Sequence, residues 1–286
     1  MTRVVAPAST ANLGPGFDVA AAALDLWNEL VVEPGEFAVE IEGEGADELP
    51  RDESHLSLRA FAPFGTVESH SFHFLNRIPL ERGLGASAAA IALGLVAGAA
   101  AAGRNAAPTE LLAVGELLEG HADNLAAALL GGVCLAWRRN GTTHAVRVAA
   151  AMPATAVLVV PTSRTSTSES RGGLPPIVRH EDAVASAGAA AMLGAAIAGG
   201  DAELLGEAFG DRLHEPYRLA SAPLLQAVRD RLPAGALGAT LSGSGPSVVV
   251  WARPERADEV ASELAAAFPE ATVTSLGVAS EGAHLT

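Results

Sequence analysis

The sequence predicts an α+β protein with two domains. Strand and helix patterns follow one another in mixed order, without the regular βαβ repeat of a parallel sheet. Of the 286 residues, 49% are hydrophobic but only 4% are aromatic, so we expect cores built largely from Ala, Val and Leu. At about 100–200 residues per domain, this length allows one or two domains. Because the pattern changes near residue 150, we predict an N-terminal domain at residues 1–150 and a C-terminal domain at residues 151–286.

The N-terminal half contains four strand-like runs and three helical segments. A glycine-rich turn, Asn12–Asp18, follows the first strand, and an apolar stretch follows the turn. Pro108 and Thr109 form an N-terminal signal for one helix. The predicted strands are residues 3–6, 37–42, 71–78 and 133–137, and the predicted helices lie within residues 83–103, at 108–119 and directly after Asp123.

The C-terminal half begins with a strand and continues through a loop rich in Ser, Thr and Gly, at 162–173. It ends in a strand, a turn at Ser242–Ser247, a second strand, a helix and a last strand. The predicted strands are residues 155–160, 239–241, 248–251 and 272–276, and the predicted helices are residues 181–198, 201–209, 221–231 and 255–268.

The charge and cysteine content limit the classes of partner. All 18 basic side chains are arginines, against 33 acidic ones, and the formal net charge is −15. Because phosphate backbones are bound by clustered Lys and Arg, we expect no nucleic-acid partner. The single cysteine, Cys134, excludes an intramolecular disulfide and a multi-cysteine zinc site, and we expect it in the core. A cytoplasmic location fits this composition.

One segment, residues 83–103, has no charged side chain and is long enough to span a bilayer. It is mostly Ala and Gly, with only five large aliphatic residues, and no aromatic side chains flank it. We therefore predict a buried helix of a soluble protein and no membrane partner, with a membrane-spanning helix as the alternative. The N-terminus lacks the long apolar stretch of a signal peptide.

The most informative motif is PLERGLGASAAA, from Pro79 to Ala90, where a glycine-rich turn leads directly into an Ala-rich helix. The free N–H groups at the start of a helix, together with its dipole, can hold a phosphate group, and glycines let the backbone approach closely. The chain has no lysine, so an ordinary P-loop is excluded. The alternative interpretation is a helix that begins with Gly only for packing.

Two further segments carry polar groups. Glu116–Asn124 brings carboxylates and a histidine together at the end of a helix, where oxygen ligands could hold Mg²⁺ and Asp123 could accept or orient a hydroxyl proton. A solvated acidic helix end is the alternative. Ser242–Ser247 is either a plain hairpin turn or a turn whose N–H groups help to position a phosphate or a substrate.

Together these segments resemble the GHMP kinase superfamily and, within it, the homoserine kinase family. The similar segments are APASTANLGPGFD, PLERGLGASAAA, EGHADN, RLHEPYR and GALGATLSGSGPS, and they run in the family's order over almost the whole chain. The resemblance implies a two-domain fold with the nucleotide in a cleft between the domains. It also implies transfer of a phosphoryl group from ATP, with Mg²⁺, to the side-chain hydroxyl of homoserine, on the pathway to threonine. Members of the family are often homodimers.

The resemblance assigns roles to particular residues. It implies that Ser87 and Glu119 hold Mg²⁺, with Glu116 as the alternative to Glu119, and that Asp123 and Asn124 are catalytic. The implied phosphate and nucleotide loop is Pro79, Arg82, Gly83, Leu84, Gly85, Ala86 and Ser87, and the implied amino-acid pocket contains Asn12, Asp18, His121 and Arg218. Homoserine is a zwitterion, so a site needs an anion, here Asp18, and a cation, here Arg218.

The chain departs from the family pattern at several positions. Ala86 replaces a serine of the phosphate loop, and His55 stands where an asparagine is expected near the adenine. Ser186 and Ala189 replace an asparagine and an arginine thought to contact the substrate carboxylate, for which Arg171 could compensate. Two alternatives therefore stay open: a kinase of another small hydroxy compound, such as threonine or a hydroxy acid, and a catalytically weak paralogue that binds nucleotide or amino acid.

Overall fold

The computed structural model describes residues 1–165, 170 and 172–286 and contains two β-sheets. Within these residues the first sheet has seven strands: β1 Thr2–Ala11, β2 Ala20–Pro34, β3 Ala38–Gly43, β4 His70–Asn76, β5 Val133–Arg139, β6 Thr142–Ala149 and β11 His284–Leu285. The order is β11-β1-β2-β4-β3, and β5 pairs with both β2 and β6. The second sheet, in the order β10-β7-β9-β8, consists of β7 Thr155–Val160, β8 Ala236–Leu241, β9 Val248–Ala252 and β10 Thr272–Leu276. The predicted α+β class is confirmed.

The helices fall into two groups. In the N-terminal half they are α1 Leu56–Phe61, α2 Ala86–Ala101, α3 Pro108–Glu119 and α4 Asp123–Leu130. In the C-terminal half they are α5 His180–Gly199, α6 Ala202–Ala208, α7 Glu215–Arg218, α8 Leu224–Arg229 and α9 Ala257–Ala267.

The second sheet is buried on both faces. Its strands alternate, so Leu158 and Trp251 face the core that underlies the first sheet, while Val157 and Val250 pack with residues of α8 and α9. Each of these four side chains is at most 1% exposed. Because one core runs from the first sheet onto the second, the segments that both sheets contribute to the site are held against each other.

Helix α2 packs on β1 and on α1. Small side chains let it lie close to its neighbours: a Cβ atom added to Gly94 would lie 2.0 Å from the carbonyl oxygen of Ser57. Ten of its 16 residues are buried. The prediction of a buried helix is therefore confirmed, and the membrane-spanning alternative for this segment is wrong. Cys134, 1% exposed, lies in the core as predicted, and burial raises the pKa of its thiol to about 12.

Among the described residues, one helix is long and apolar enough to cross a membrane by length and composition alone. This helix is α5, with a mean hydropathy of 1.4 and only 28% of its most apolar window buried. The sequence analysis predicted this helix, at 181–198, but considered only residues 83–103 as a possible membrane span, because hydropathy alone does not show which helix the fold buries.

Several predicted elements have different bounds. The apolar stretch after the glycine turn is the start of β2, whose Ala20–Leu24 segment is buried. Strand β1 pairs with β2 along its whole length, from Thr2 to Ala11. The predicted strand at residues 3–6 was therefore too short. The sequence pattern did not predict α1, α7 or β6. The first two are a few residues long, and β6 is half exposed, so none has a clear hydrophobic period.

We expect Gly94→Ala to destabilise the protein by at least about 1–3 kcal/mol, because the added methyl group would overlap the backbone of Ser57. Gly194, in α5 with no atom within 4 Å of an added Cβ, is the matched control. Gly194→Ala should stabilise the protein by about 0.5–1 kcal/mol, since alanine is the better helix former. Urea unfolding of both variants measures the difference, and equal midpoints would contradict the close approach of α1 and α2.

Candidate active site

A cavity of about 640 Å³ is lined by segments that are connected to both sheets. Its wall combines the glycine turn after β1, the start of α2, the turn between α3 and α4, and the turn between β8 and β9. Of the predicted site residues only the alternative metal ligand, Glu116, is not in this wall; its side chain lies 3.5 Å from Arg138. The predicted residues that line the cavity are Asn12, Asp18, Pro79, Arg82, Gly83, Leu84, Gly85, Ala86, Ser87, Glu119, His121, Asp123, Asn124 and Arg218.

The glycine loop before α2 is fixed from behind by two serines. Ser9 donates its backbone N–H to Leu84, and the hydroxyl of Ser242 donates to the carbonyl of Gly83 at 2.7 Å. Gly83 and Gly85 have φ angles of +74° and +69°, and a Cβ atom on Gly85 would lie 2.0 Å from the Ser9 hydroxyl oxygen. Only glycine fits these positions.

The first turn of α2 faces the cavity with Ala86 and Ser87. Gly85 is the N-cap residue and provides no side-chain cap, and the first turn contains no acidic side chain. The first backbone N–H groups of a helix have no partner within it, and the helix dipole is positive there. The arrangement can therefore hold an anion through main-chain amides.

Arg82 connects the glycine loop to the C-terminal half of the chain. Its guanidinium donates hydrogen bonds to the carbonyl oxygens of Leu80, Pro161 and Thr162. The backbone N–H of Thr165 in turn donates to the carbonyl of Glu81. These contacts join the end of β7 to the turn that precedes α2.

An acidic cluster lies at the junction of α3 and α4, beside the start of α2. Ser87 donates its hydroxyl to Glu119 at 2.7 Å, and His121 lies 3.9 Å from Glu119 and 3.2 Å from Asp123. Helix α3 ends at Gly120, whose φ of +82° turns the chain, and α4 starts at Asp123. Burial raises the pKa of Glu119, the Ser87 hydrogen bond and His121 lower it, and Asp123 raises it further.

These oxygen donors fit a magnesium ion. A hydroxyl and buried carboxylates are hard ligands, and a cation between Glu119 and Asp123 would relieve their repulsion. The described part of the chain contains no group of three or more His, Cys, Asp or Glu side chains that could hold a metal alone. Mg²⁺ commonly binds one or two carboxylates and completes its shell with water and substrate phosphates, so a sparse set is what such a site needs.

The other end of the cavity is organised around the carbonyl oxygen of Gly243. It accepts hydrogen bonds from Asn12, at 2.9 Å, and from the guanidinium of Arg218, at 3.1 Å. The side-chain oxygen of Asn12 accepts from the backbone N–H of Asp18. Arg218 is 3% exposed. The backbone of Asp18 and the guanidinium of Arg218 thus belong to one hydrogen-bonded network.

The sequence analysis assigned no individual role to four residues around the cavity, although Ser242 lies in the turn predicted either as a plain hairpin or as a turn that positions a phosphate or a substrate. Ser9 and Ser242 lie within the motifs that carry the family resemblance, but their contacts depend on how β1 and the β8–β9 turn pack. His214 contacts Arg218, and Phe17 stacks on His214. His214 is a single histidine beside a short helix, and its sequence context does not indicate whether such a histidine is functional or structural.

The departures from the family pattern have definite positions. Neither Ser186 nor Ala189 is in the cavity wall; both are buried, and the hydroxyl of Ser186 accepts from the backbone N–H of Arg212. His55 lines the cavity, packs on Phe74, and accepts a hydrogen bond from the backbone N–H of Ser57. Burial lowers the pKa of His55 to about 4, so it is neutral at physiological pH. Arg171 lies outside the described residues.

Comparison with known proteins gives a consistent result. Residues 55–132 match the family described as GHMP kinases N terminal domain, and residues 185–270 match GHMP kinases C terminal. The chain is 41% identical to a homoserine kinase of Streptomyces avermitilis, over 91% of this chain and 88% of that protein. It is 39% identical to a homoserine kinase of Moorella thermoacetica, over 99% of both chains.

A solved homoserine kinase from Cytophaga hutchinsonii is similar to this structure with a TM-score of 0.89 and 28% identity. The match covers 100% of this chain and 97% of that one. The likeness therefore extends over the whole of the chain rather than over one domain.

Because the buried carboxylate of Glu119 has a raised pKa, its ionisation costs stability. The folded state binds this proton more tightly than the unfolded state, so this contribution falls as pH rises from 4.5 through the folded-state pKa. We expect Glu119→Gln to match the wild type near pH 4 and to become the more stable of the two toward pH 8, without Mg²⁺. Urea unfolding across this range measures the difference. Glu116→Gln, on the same helix, is the control and should show no such gain. If the wild type is still more stable than Glu119→Gln at pH 8, burial does not raise the pKa of Glu119.

Proposed function

Because this chain belongs to the homoserine kinase family of the GHMP kinases, we propose that it transfers the γ-phosphoryl group of ATP to the side-chain hydroxyl of L-homoserine. The product would be O-phospho-L-homoserine, on the pathway to threonine. The single observation that carries this proposal is the convergence of the Asn12 turn, the start of α2, the Glu119–Asn124 turn and Arg218 on one cavity. These segments are far apart in sequence, and each contributes a group that such a reaction needs.

The amides at the start of α2 would bind the phosphates of ATP. The chain has no lysine to contact the phosphates. Main-chain N–H groups, the helix dipole and the Ser87 hydroxyl would bind them instead. Ala86 contributes its N–H but no hydroxyl. Ser87 and Glu119 would hold Mg²⁺, which supplies charge neutralisation for the transferred group when it is bound.

The adenine would lie in the part of the cavity lined by His55, Phe74 and Leu80. The ring of Phe74 packs on His55 with centroids 4.4 Å apart and planes at 31°, so two ring systems contribute to this part of the wall. Nδ1 of His55 accepts from Ser57, so the proton of the neutral ring is on Nε2. That nitrogen is a donor, suited to an acceptor of the base.

The acceptor would lie between Asp18, which faces its ammonium group, and Arg218, which faces its carboxylate. Asp123 would orient the hydroxyl, and Asn124 would help to fix the loop beneath it through its bond to Ser9, at 2.8 Å. Phosphoryl transfer passes through a loose transition state, so alignment and charge neutralisation supply most of the catalysis. His121, 3.2 Å from Asp123, keeps that carboxylate in place.

The proposal extends to organisation and assembly. We place the domains at residues 1–150 and 151–286 and the enzyme in the cytoplasm, with a small-molecule substrate and neither nucleic acid nor membrane as a partner. We propose a homodimer, for which the exposed apolar surface of α5 supplies a contact face: Val184 is 59% and Met192 37% exposed. Sedimentation velocity of the purified chain tests this assembly, and a monomer at micromolar concentration would reject it.

A coupled ADP-release assay tests the acceptor. We expect Mg²⁺- and ATP-dependent turnover with L-homoserine to exceed turnover with threonine or a hydroxy acid by about tenfold or more. In those compounds the hydroxyl has a different position relative to the carboxylate that Arg218 would bind. Faster turnover with threonine would identify a kinase of another hydroxy compound. Retained ATP binding without turnover of any acceptor would identify a nucleotide-binding paralogue.

Glu119→Gln should lower Mg²⁺-dependent turnover about 100-fold or more, because it removes the charged ligand proposed for the metal. The matched variant Glu116→Gln, outside the cavity wall, should keep wild-type turnover. Initial rates over a Mg²⁺ titration provide the measurement, and circular dichroism checks folding. Unchanged turnover in Glu119→Gln would reject this metal assignment; loss only in Glu116→Gln would favour the alternative ligand.

A further inference from the structure

His214 lies between the glycine turn and Arg218 and contacts both. Its side chain is fully buried, at 0% exposure. Nε2 lies 2.9 Å from the carbonyl oxygen of Gly14, and Nδ1 lies 3.1 Å from Nη1 of Arg218. A carbonyl only accepts and a guanidinium only donates, so the ring is neutral with its proton on Nε2. Burial lowers the pKa of His214, which agrees with this neutral form.

Phe17 completes the contact from the glycine turn. Its ring stacks on His214 with centroids 4.8 Å apart and planes at 19°, and the guanidinium carbon of Arg218 lies 5.4 Å from the same ring centroid. The guanidinium is thus oriented by His214, by the carbonyl of Gly243 and by the face of Phe17. All three contacts reach the Asn12–Asp18 turn: His214 contacts Gly14, the carbonyl of Gly243 accepts from Asn12, and Phe17 belongs to the turn.

The backbone around His214 is held by other groups. Asp211 accepts hydrogen bonds from the backbone N–H groups of His214 and Glu215, while the Glu215 carboxylate accepts from the backbone N–H of Leu241 and from Arg229. Helix α7 is therefore attached to the second sheet without the imidazole. The imidazole makes a different connection, from Arg218 to the N-terminal half of the chain.

We propose that His214 is a positioning residue for the acceptor: it fixes the guanidinium of Arg218 relative to the Asn12–Asp18 turn, so that the anionic and cationic ends of the pocket keep one separation. The inference rests on the proposed function, because it assumes that Arg218 meets the substrate carboxylate. A zwitterion of fixed length is bound well only if both ends are met at once. Loss of this connection therefore weakens acceptor binding and leaves the nucleotide end, at the start of α2, unaffected.

The test uses three variants of the full chain. His214→Phe keeps a ring that can stack on Phe17 but has no nitrogen, and we expect the KM for homoserine to rise about tenfold or more, as for loss of a hydrogen bond to a charged group. The KM for ATP should change less than about twofold. His214→Gln, whose amide can donate to Gly14 and accept from Arg218, should recover most of the acceptor affinity. Leu225→Ala, in the core of the second sheet, lowers the Tm and should change neither KM.

Two further measurements keep the inference testable. If His214→Phe does not fold, Phe17→Leu removes the ring that both His214 and Arg218 contact, at a half-buried position, and should raise the KM for homoserine alone. Unchanged KM for homoserine in the folded variants would overturn the inference. If the wild type does not phosphorylate homoserine, the proposed function fails. The crystal structure of His214→Phe, or of Phe17→Leu if that variant alone folds, then decides separately: Arg218 displaced from Gly243 supports the inference, and Arg218 in place overturns it.

Discussion

The organisation of the site depends on a close approach between the glycine loop before α2 and the two sheets behind it. The groups proposed to hold phosphate are backbone N–H groups, and a backbone donor keeps its direction only if its loop is rigid. Gly83 and Gly85 allow the loop to lie this close, because any larger residue would overlap Ser242 or Ser9. Hydrogen bonds from Ser9 and Ser242 then hold the loop in position, which lowers the cost of ordering it when a ligand binds.

The same contact links the two ends of the cavity. Ser242 supports the glycine loop through its hydroxyl, and the next residue, Gly243, accepts hydrogen bonds from Asn12 and Arg218 through its carbonyl. One turn between β8 and β9 therefore positions both the glycine loop before α2 and the polar groups around the carbonyl of Gly243. Because β8 and β9 are buried on both faces, that turn is held by the core of the second sheet. Positioning of this kind is the main contribution a protein makes to phosphoryl transfer.

Local patterns predicted the parts of the site that are local. The glycine loop, α2 and the Glu119–Asn124 turn follow from glycine placement and helix periodicity, and the structure has all three as elements. By contrast, Ala20–Leu24, an alanine-rich segment, forms a strand because pairing with β1 and β5 overrides its helical propensity. Helix α7 has four residues and exists through contacts of Asp211 and Glu215, which no periodicity reveals. The position of His214 depends on that helix and could not be predicted from sequence.

Charge explains why these few polar groups can be selective. In a protein with a net charge of −15, a buried guanidinium such as Arg218 is a rare group, and a buried carboxylate such as Glu119 is costly unless a cation meets it. Ser186 and Ala189 add no charged group, and neither residue is in the cavity wall. Arg218 is the buried cation among the described residues of the wall. On the proposed function, acceptor selection depends on the geometry of this guanidinium, which is set in part by the uncharged groups around it, Phe17 and His214.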